Sequence, residues 1–110
     1  MTELNTITNE VVNSARDLFK DQLWRIMLYG SYARGDFNEE SDVDIMILLD
    51  CYESDIRKFR KQTSRMASRI GLDNDVEVSL LVRDRDSFEQ RKNILPFYRN
   101  VNDEGVILYG

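Results

Sequence analysis

The sequence predicts an α/β or α+β fold, a small mixed sheet with helices packed mainly on one face. Runs rich in branched and aromatic residues at 24–29, 43–49 and 76–82 indicate strands, and segments with helical periodicity alternate with them. The chain has 110 residues, the size of one compact domain, so residues 1–110 are expected to form a single domain.

The first half of the chain predicts a helix and two strands joined through a tight turn. Apolar residues recur at spacings of three and four over residues 4–21, which indicates an amphipathic helix. A strand over residues 24–29 then runs into Gly30, where the chain is expected to turn. A helical turn closed by Gly35 and a polar loop lead to a second strand over residues 43–49, whose nearly unbroken apolar run is typical of a strand covered on both faces.

The second half predicts further helices and strands. A helix is expected to begin at Ser54 or Asp55 and to stop at Gly71. Its outer face is basic, and the acidic total of the chain favours a solvated surface there over a nucleic-acid site. Residues 76–82 alternate between apolar and polar at their start and are rich in branched residues, which predicts a third strand.

The C-terminal part closes the fold with one helix and one strand. Ser87 and Gln90 have the spacing of a capping box, and the helix that they begin must end before Pro96. The short apolar run over residues 106–109 predicts a final strand.

The composition excludes several kinds of chemistry. Without histidine the chain has neither a Ser-His-Asp triad nor a histidine metal site, so catalysis must depend on carboxylates, hydroxyls, Lys or Arg, and metal ions. The net charge of −5 disfavours general nucleic-acid binding. The single Cys51 and an N-terminus without the basic and apolar runs of a signal peptide predict a cytoplasmic protein.

Two motifs lie at the ends of neighbouring predicted strands. Gly30-Ser31 ends the first strand, and after ten residues Asp42-Val43-Asp44 begins the second. Because side chains two residues apart in a strand share a face, Asp42 and Asp44 are expected to present paired carboxylates. Two close anions repel each other unless a cation lies between them, and oxygen ligands of this kind suit Mg²⁺ or Mn²⁺.

A phosphate site is expected beside this metal site. Gly30 permits a sharp turn and leaves room for a phosphate, while Ser31 adds a hydroxyl and a backbone N–H. A third carboxylate is expected on an adjacent strand, where Glu77 is the candidate and Asp75, two residues earlier on the same face, is the alternative.

These residues resemble the pattern of the minimal nucleotidyltransferases, the MNT domains of the DNA polymerase β superfamily. That pattern is Gly-Ser, a gap of ten residues, and then Asp-x-Asp. The string over residues 30–35, Ser41 before the first aspartate, and the C-terminal residues 104–109 are also similar to the family. The resemblance spans nearly the whole chain and implies the polymerase-β-like nucleotidyltransferase fold.

The resemblance implies a mechanism and its residues. In the superfamily two metal ions held by three carboxylates align an acceptor hydroxyl with the α-phosphorus of a nucleoside triphosphate, and pyrophosphate leaves. By position, Asp42, Asp44 and Glu77 are the implied catalytic residues and metal ligands, with two Mg²⁺ ions (or Mn²⁺) as cofactors and ATP as substrate. The family often has Asp as the third acid, and Glu is one methylene longer.

The resemblance also implies how the nucleotide and a partner bind. Gly30 and Ser31 would hold the triphosphate, with Arg34 as a further phosphate ligand. Among stand-alone relatives, the chain particularly resembles the antitoxin of HEPN/MNT toxin–antitoxin pairs, which binds a helical HEPN partner and transfers AMP to a tyrosine. The chain is therefore expected to be a Mg²⁺-dependent protein adenylyltransferase in a hetero-oligomer, without direct binding of nucleic acid or membrane. Two alternatives stay open: a non-catalytic nucleotide-binding antitoxin that neutralises its partner by occlusion, and a small-molecule nucleotidyltransferase.

Overall fold

The computed structural model describes residues 4–110, which form four strands and five helices. The helices are α1 (Leu4–Phe19), α2 (Ser31–Arg34), α3 (Arg60–Asn74), α4 (Arg85–Arg91) and α5 (Pro96–Glu104), and the strands are β1 (Leu23–Tyr29), β2 (Val43–Leu49), β3 (Val78–Asp84) and β4 (Val106–Tyr109). Short 3₁₀ segments, Lys20–Gln22 and Glu53–Phe59, precede β1 and α3. Residues 1–3, part of the N-terminal stretch behind the cytoplasmic prediction, lie outside the described residues. Within residues 4–110, no helix combines the length and apolar character that a membrane span requires.

The strands form one mixed sheet in the order β3-β2-β1-β4. β2 and β3 are parallel, whereas β1 is antiparallel to both β2 and β4. β2 lies inside the sheet, and its alternate residues are buried on opposite faces, with Ile45 and Ile47 on one and Met46 and Leu48 on the other. The strand covered on both faces is thus where the apolar run predicted it.

Helices cover the two faces of the sheet unequally. The two longest, α1 and α3, pack on one face, where Val11 and Ile70 contribute to the core around Ile45. The shorter α4 and α5 cover the other face with Phe88 and Val101. The predicted fold class is therefore confirmed, with helices mainly on one face and a smaller second layer.

α3 differs from the predicted helix at both ends. The 3₁₀ segment Glu53–Phe59 comes first, and Gly71 is buried inside α3 instead of ending it. A side-chain carbon at Gly71 would lie 2.7 Å from the carbonyl oxygen of Val76. This glycine therefore allows the loop after α3 to pass close to the helix, and α3 continues to Asn74.

The C-terminal third contains one helix more than predicted. Asp84 caps α4, and its carboxylate accepts a hydrogen bond from the backbone N–H of Ser87 at 2.9 Å, so the predicted capping box of Ser87 and Gln90 is wrong. Pro96 begins α5, a position that suits proline because the first N–H groups of a helix have no partner within it. The final strand, β4, is confirmed.

Candidate active site

β1 ends in a turn that requires glycine. Gly30 has φ 73° and ψ −156°, a combination that is essentially restricted to glycine. Its carbonyl accepts hydrogen bonds from the N–H groups of Ala33 and Arg34, both at 3.1 Å. Gly35 closes α2 in the left-handed conformation, with φ 85°. Ser31 is therefore the first residue of a short helix that starts at the end of a strand, as the sequence predicts.

The two aspartates at the start of β2 lie beside this turn. Asp44 is in register with Tyr29, the last residue of β1. A side-chain carbon on Gly30 would overlap Oδ2 of Asp44 and lie 3.3 Å from its Cγ, so the two residues are in close contact. Asp44 is on the sheet face of Met46, the face covered by α4 and α5, and strand alternation places Asp42 on the same side. The structure thus brings the two motifs together.

The charge of Asp44 is poorly compensated. Burial raises the pKa of its carboxyl group, and the negative charge of Asp42 raises it further, while Arg34 acts in the opposite direction. Within residues 4–110, neither aspartate takes part in an ion pair. The pair is therefore an anionic site whose repulsion a cation would relieve.

These carboxylates fit a divalent metal ion. Because Gly30 has no side chain, it does not overlap Oδ2 of Asp44, which a side-chain carbon at that position would do. In the part of the chain that the structure describes, no three His, Cys, Asp or Glu side chains come together as a metal-binding cluster. Mg²⁺ is nevertheless commonly held by one or two protein carboxylates together with water and substrate phosphates. Asp42 and Asp44 are sufficient for a site of that kind.

Glu77 lies next to the aspartates, one residue before β3. Its carbonyl accepts a hydrogen bond from the N–H of Val43 at 2.9 Å, and Val43 is in register with Val78. Glu77 is therefore opposite Asp42, and its exposed side chain is on the face of the aspartates. Asp75, by contrast, is the left-handed cap of α3 with φ 53°, so the strand alternation that would place it on this face does not reach it. Glu77 as the third carboxylate stays a prediction.

Arg34 is held by carboxylates of its own chain. Its Nε lies 3.2 Å from Oδ2 of Asp36, and its Nη1 lies 3.6 Å from Oε2 of Glu104 at the end of α5. The hydrogen bond to Asp36 is the main cause that raises the pKa of the guanidinium. These contacts connect α2 to α5 and keep a positive charge near Asp44. A role as phosphate ligand stays a prediction, and the contact with Glu104 was not visible in the sequence.

Tyr29 belongs to the site although the sequence analysis did not single it out. Burial first, and then the charge of Asp44, raises the pKa of its hydroxyl to about 12, with Arg83 acting in the opposite direction. The hydroxyl is therefore protonated at neutral pH. The ring packs edge-on against Phe97 of α5 at 5.6 Å between centroids. The one signal for Tyr29 in the sequence is its position directly before Gly30.

Comparison with solved structures shows what class of fold this is. A toxin–antitoxin complex with AMP-PNP matches with a TM-score of 0.65 and 24% identity, over 94% of this chain and 73% of that chain. The complex of a tri-AMPylated Shewanella oneidensis HEPN toxin with its MNT antitoxin matches with a TM-score of 0.58 and 22% identity, over 96% of this chain and 71% of that chain. The fold is that of the nucleotidyltransferases.

Sequence comparison identifies the family. The family model of the nucleotidyltransferase domain matches residues 9–107. The chain therefore belongs to the nucleotidyltransferase domain family and is a nucleotidyltransferase. A Methanocaldococcus jannaschii protein named as a candidate protein adenylyltransferase is 34% identical over 103 residues, which are 91% of this chain and 92% of the relative. Enzymes of this class use a nucleoside triphosphate and a divalent metal ion, which agrees with the paired aspartates.

Proposed function

We propose that this chain is a Mg²⁺-dependent protein adenylyltransferase that transfers AMP from ATP to a tyrosine hydroxyl of a helical HEPN-family partner, and thereby acts as an antitoxin. The observation that carries the proposal is the contact of Gly30 with Asp44, whose carboxyl also experiences the negative charge of Asp42. The name of the M. jannaschii relative and the toxin–antitoxin complexes among the structural neighbours support it.

In the proposed reaction the residues of this chain bind, orient and accept a proton. Asp42 and Asp44 would hold the metal ions, which neutralise phosphate charge and orient the triphosphate when bound. The backbone at Gly30 and the N–H and hydroxyl of Ser31 would bind phosphate oxygens at the start of α2. The acceptor oxygen forms a bond to the α-phosphorus, the bond to pyrophosphate breaks, and Glu77 would take the proton of the acceptor hydroxyl.

The environment of the site agrees with these roles. Asp44 binds protons more readily than an ordinary aspartate because burial and Asp42 raise the pKa of its carboxyl, and a bound cation would reverse that tendency. Arg34 can supply positive charge to a phosphate, but only by competing with its contacts to Asp36 and Glu104. The cytoplasm, predicted from the single Cys51, is the ATP-containing compartment that the proposal requires.

The test is transfer of label from α-labelled ATP to a co-expressed HEPN partner in the presence of Mg²⁺. Asp42→Asn combined with Asp44→Asn should lower the transfer rate by about a hundredfold or more, because the metal ligands are lost. Glu39→Gln combined with Glu40→Gln is the matched control, since it removes two carboxylates from the exposed loop that precedes them. Both variants should keep the circular dichroism of the folded chain. A wild-type chain that labels no partner with either Mg²⁺ or Mn²⁺ would contradict the proposal.

A second candidate function is neutralisation of the partner by occlusion alone. It is favoured by the lack of a three-carboxylate cluster within residues 4–110 and by the exposure of Glu77. Growth of cells that express the toxin separates the two functions. Rescue that survives the loss of both Asp42 and Asp44 indicates occlusion, and rescue that is lost with them indicates catalysis.

A further inference from the structure

β3 is an edge strand whose outer edge is open. The order β3-β2-β1-β4 places it at one end of the sheet, and its seven residues make it longer than the four-residue β4 at the other end. Edge strands offer unpaired backbone groups to other strands, and proteins commonly protect them with lysine, proline or a bulge. Residues 78–82 contain neither lysine nor proline, and the register with β2 is uninterrupted. This edge is therefore suited to pairing.

Alternate residues of β3 direct their backbone groups to the open edge. The carbonyl of Glu77 accepts a hydrogen bond from the first N–H of β2 at 2.9 Å. Because the bonds of a parallel ladder alternate, Val78, Leu80 and Val82 direct their N–H and C=O groups away from β2. The carbonyl of Val82 accepts a hydrogen bond from Nη1 of Arg83 at 2.8 Å, which agrees with this orientation.

A groove follows the edge between β3 and α3. It consists of two adjoining cavities of about 570 and 350 Å³, which share Ala67. Small side chains, Ser64, Ala67 and Ser68, form the α3 side of its middle, so another helix has room to approach. Thr63 lines the groove, and its buried hydroxyl has no hydrogen-bond partner in the described part of the chain. Leu72, which is 83% exposed, also lines it.

The two ends of the groove carry opposite charge. Glu39, Glu40 and Asp75 make the end near the start of β3 acidic. Arg57 and Arg60 make the other end basic. The glutamates and these two arginines are exposed, and none of them takes part in an ion pair within residues 4–110. Opposite charges at the two ends match a partner that carries the same charges in reverse order.

We propose that the partner at this edge is a second copy of the chain, with the two β3 strands antiparallel about a two-fold axis at Leu80. In this register Val78 of each copy pairs with Val82 of the other, and about six hydrogen bonds join the two strands. Because the two strands run in opposite directions, the two grooves do as well, and the acidic end of each copy meets the basic end of the other. The two-fold axis makes this acidic–basic contact occur twice. An axis at residue 80 is the choice that uses all three outward-facing residues.

The same register connects the two candidate active sites. Glu77 of one copy lies opposite Arg83 of the second copy on the face that carries the aspartates. Each copy would therefore add a cation at the margin of the other's carboxylate site. The pairing itself rests on the edge and the groove, and it holds whether or not AMP transfer is the activity.

Charge exchange tests the pairing. Arg57→Glu with Arg60→Glu makes both ends of the groove acidic, and Glu39→Lys with Glu40→Lys cancels the negative charge of the acidic end, where Asp75 and Glu77 remain. Sedimentation velocity should show a dimer for the wild-type chain and dimerisation that is weaker by at least about tenfold for each variant. An equimolar mixture of the two variants should regain the dimer. In the mixed dimer the glutamates introduced in one variant face the lysines introduced in the other, and the second contact keeps its original charges.

A control and a second measurement make the test specific. Lys61→Glu with Arg65→Glu changes the charge of α3 by the same amount outside the groove and should dimerise like the wild type. Hydrogen exchange of the Leu80 amide should slow as the protein concentration rises. A wild-type chain that stays monomeric at sub-millimolar concentration, or a dimer that neither charge reversal weakens, would overturn the proposal. Protection of this amide that develops only when a different protein is added would also overturn it, since the edge would then belong to a heterologous strand.

Discussion

Replacement of Gly30 by alanine tests whether the turn after β1 is built around the carboxylate of Asp44. At φ 73° and ψ −156°, alanine is expected to cost about 1–3 kcal/mol of backbone strain. Its methyl group would overlap Oδ2 of Asp44, and moving that side chain away from its rotamer costs about 0.5–1.5 kcal/mol more. We expect Gly30→Ala to lower the free energy of unfolding by about 2–4 kcal/mol, a large share of the 5–15 kcal/mol typical of a native protein.

Gly35→Ala is the matched control for this contact. Gly35 also has a positive φ, 85°, but nothing lies within 4 Å of a side-chain carbon built there. Its replacement should cost only the backbone strain, about 1–2 kcal/mol. The double variant Gly30→Ala with Asp44→Ala should recover the steric part of the loss, because the atoms that the methyl group would overlap are then absent.

Urea denaturation followed by circular dichroism measures these free energies, and AMP transfer is measured on the same preparations under native conditions. Gly30→Ala should transfer AMP about a hundredfold more slowly even where it is fully folded, since it displaces a proposed metal ligand. Gly35→Ala should keep most of its activity. Equal losses of stability for the two alanine variants, or no recovery in the double variant, would refute the argument that Gly30 is required by its contact with Asp44.

Three further predictions concern the charge of Asp44, the packing at Gly71 in α3 and the N-cap of α4 at Asp84. Asp44→Asn should raise the free energy of unfolding at pH 7 by up to about 1 kcal/mol after allowance for solvent screening. Burial and Asp42 raise the pKa of the Asp44 carboxyl, so the wild-type chain is more stable when this carboxyl is protonated and loses that stability as the pH rises through the pKa. The stability advantage of Asp44→Asn over the wild type should therefore disappear in acid, and urea titrations at several pH values measure it. Gly71→Ala should lower the free energy of unfolding by about 1–3 kcal/mol, because its methyl group would lie 2.7 Å from the carbonyl oxygen of Val76. This steric cost should outweigh the helix preference of alanine over glycine, about 1 kcal/mol, and a higher Tm for the variant would contradict the prediction. Asp84→Ala should cost about 1–2 kcal/mol by removal of the N-cap of α4, and Asp84→Asn should cost less because it keeps an acceptor; chemical denaturation compares the two.

Strands of the sheet could be predicted where the sequence pattern is compatible with only one type of secondary structure. Val43–Leu49 is an apolar run of strand length between polar segments, and the structure has β2 with those bounds. The predicted helix end at Gly71 is wrong, although a glycine near the end of a helical pattern normally indicates a stop. Its actual cause is the carbonyl of Val76, which the loop brings back against the helix, and such a contact is not visible in local periodicity.

The C-terminal region shows the same limit on prediction. The helix predicted to end before Pro96 does so, because α4 ends at Arg91, but Pro96 also begins α5, a helix that the sequence analysis did not predict. The contact between Arg34 and Glu104 joins residues that are far apart in the chain. Nothing in either local sequence distinguishes that pair from ordinary surface charges, so only the fold reveals it.

The way in which the strands are connected explains why one half of the candidate site was predictable and the other half was not. β1 and β2 are antiparallel neighbours, so the end of the first strand and the start of the second lie side by side whatever lies in the thirteen residues between the two strands. Gly30 and Asp44 therefore come together once these two strands pair in antiparallel fashion. β3 is parallel to β2 and is reached through α3, so its starting residue depends on where that helix ends. The helix extends to Asn74 and takes Asp75 as its cap, and Glu77 is consequently the acid that reaches the face of the aspartates.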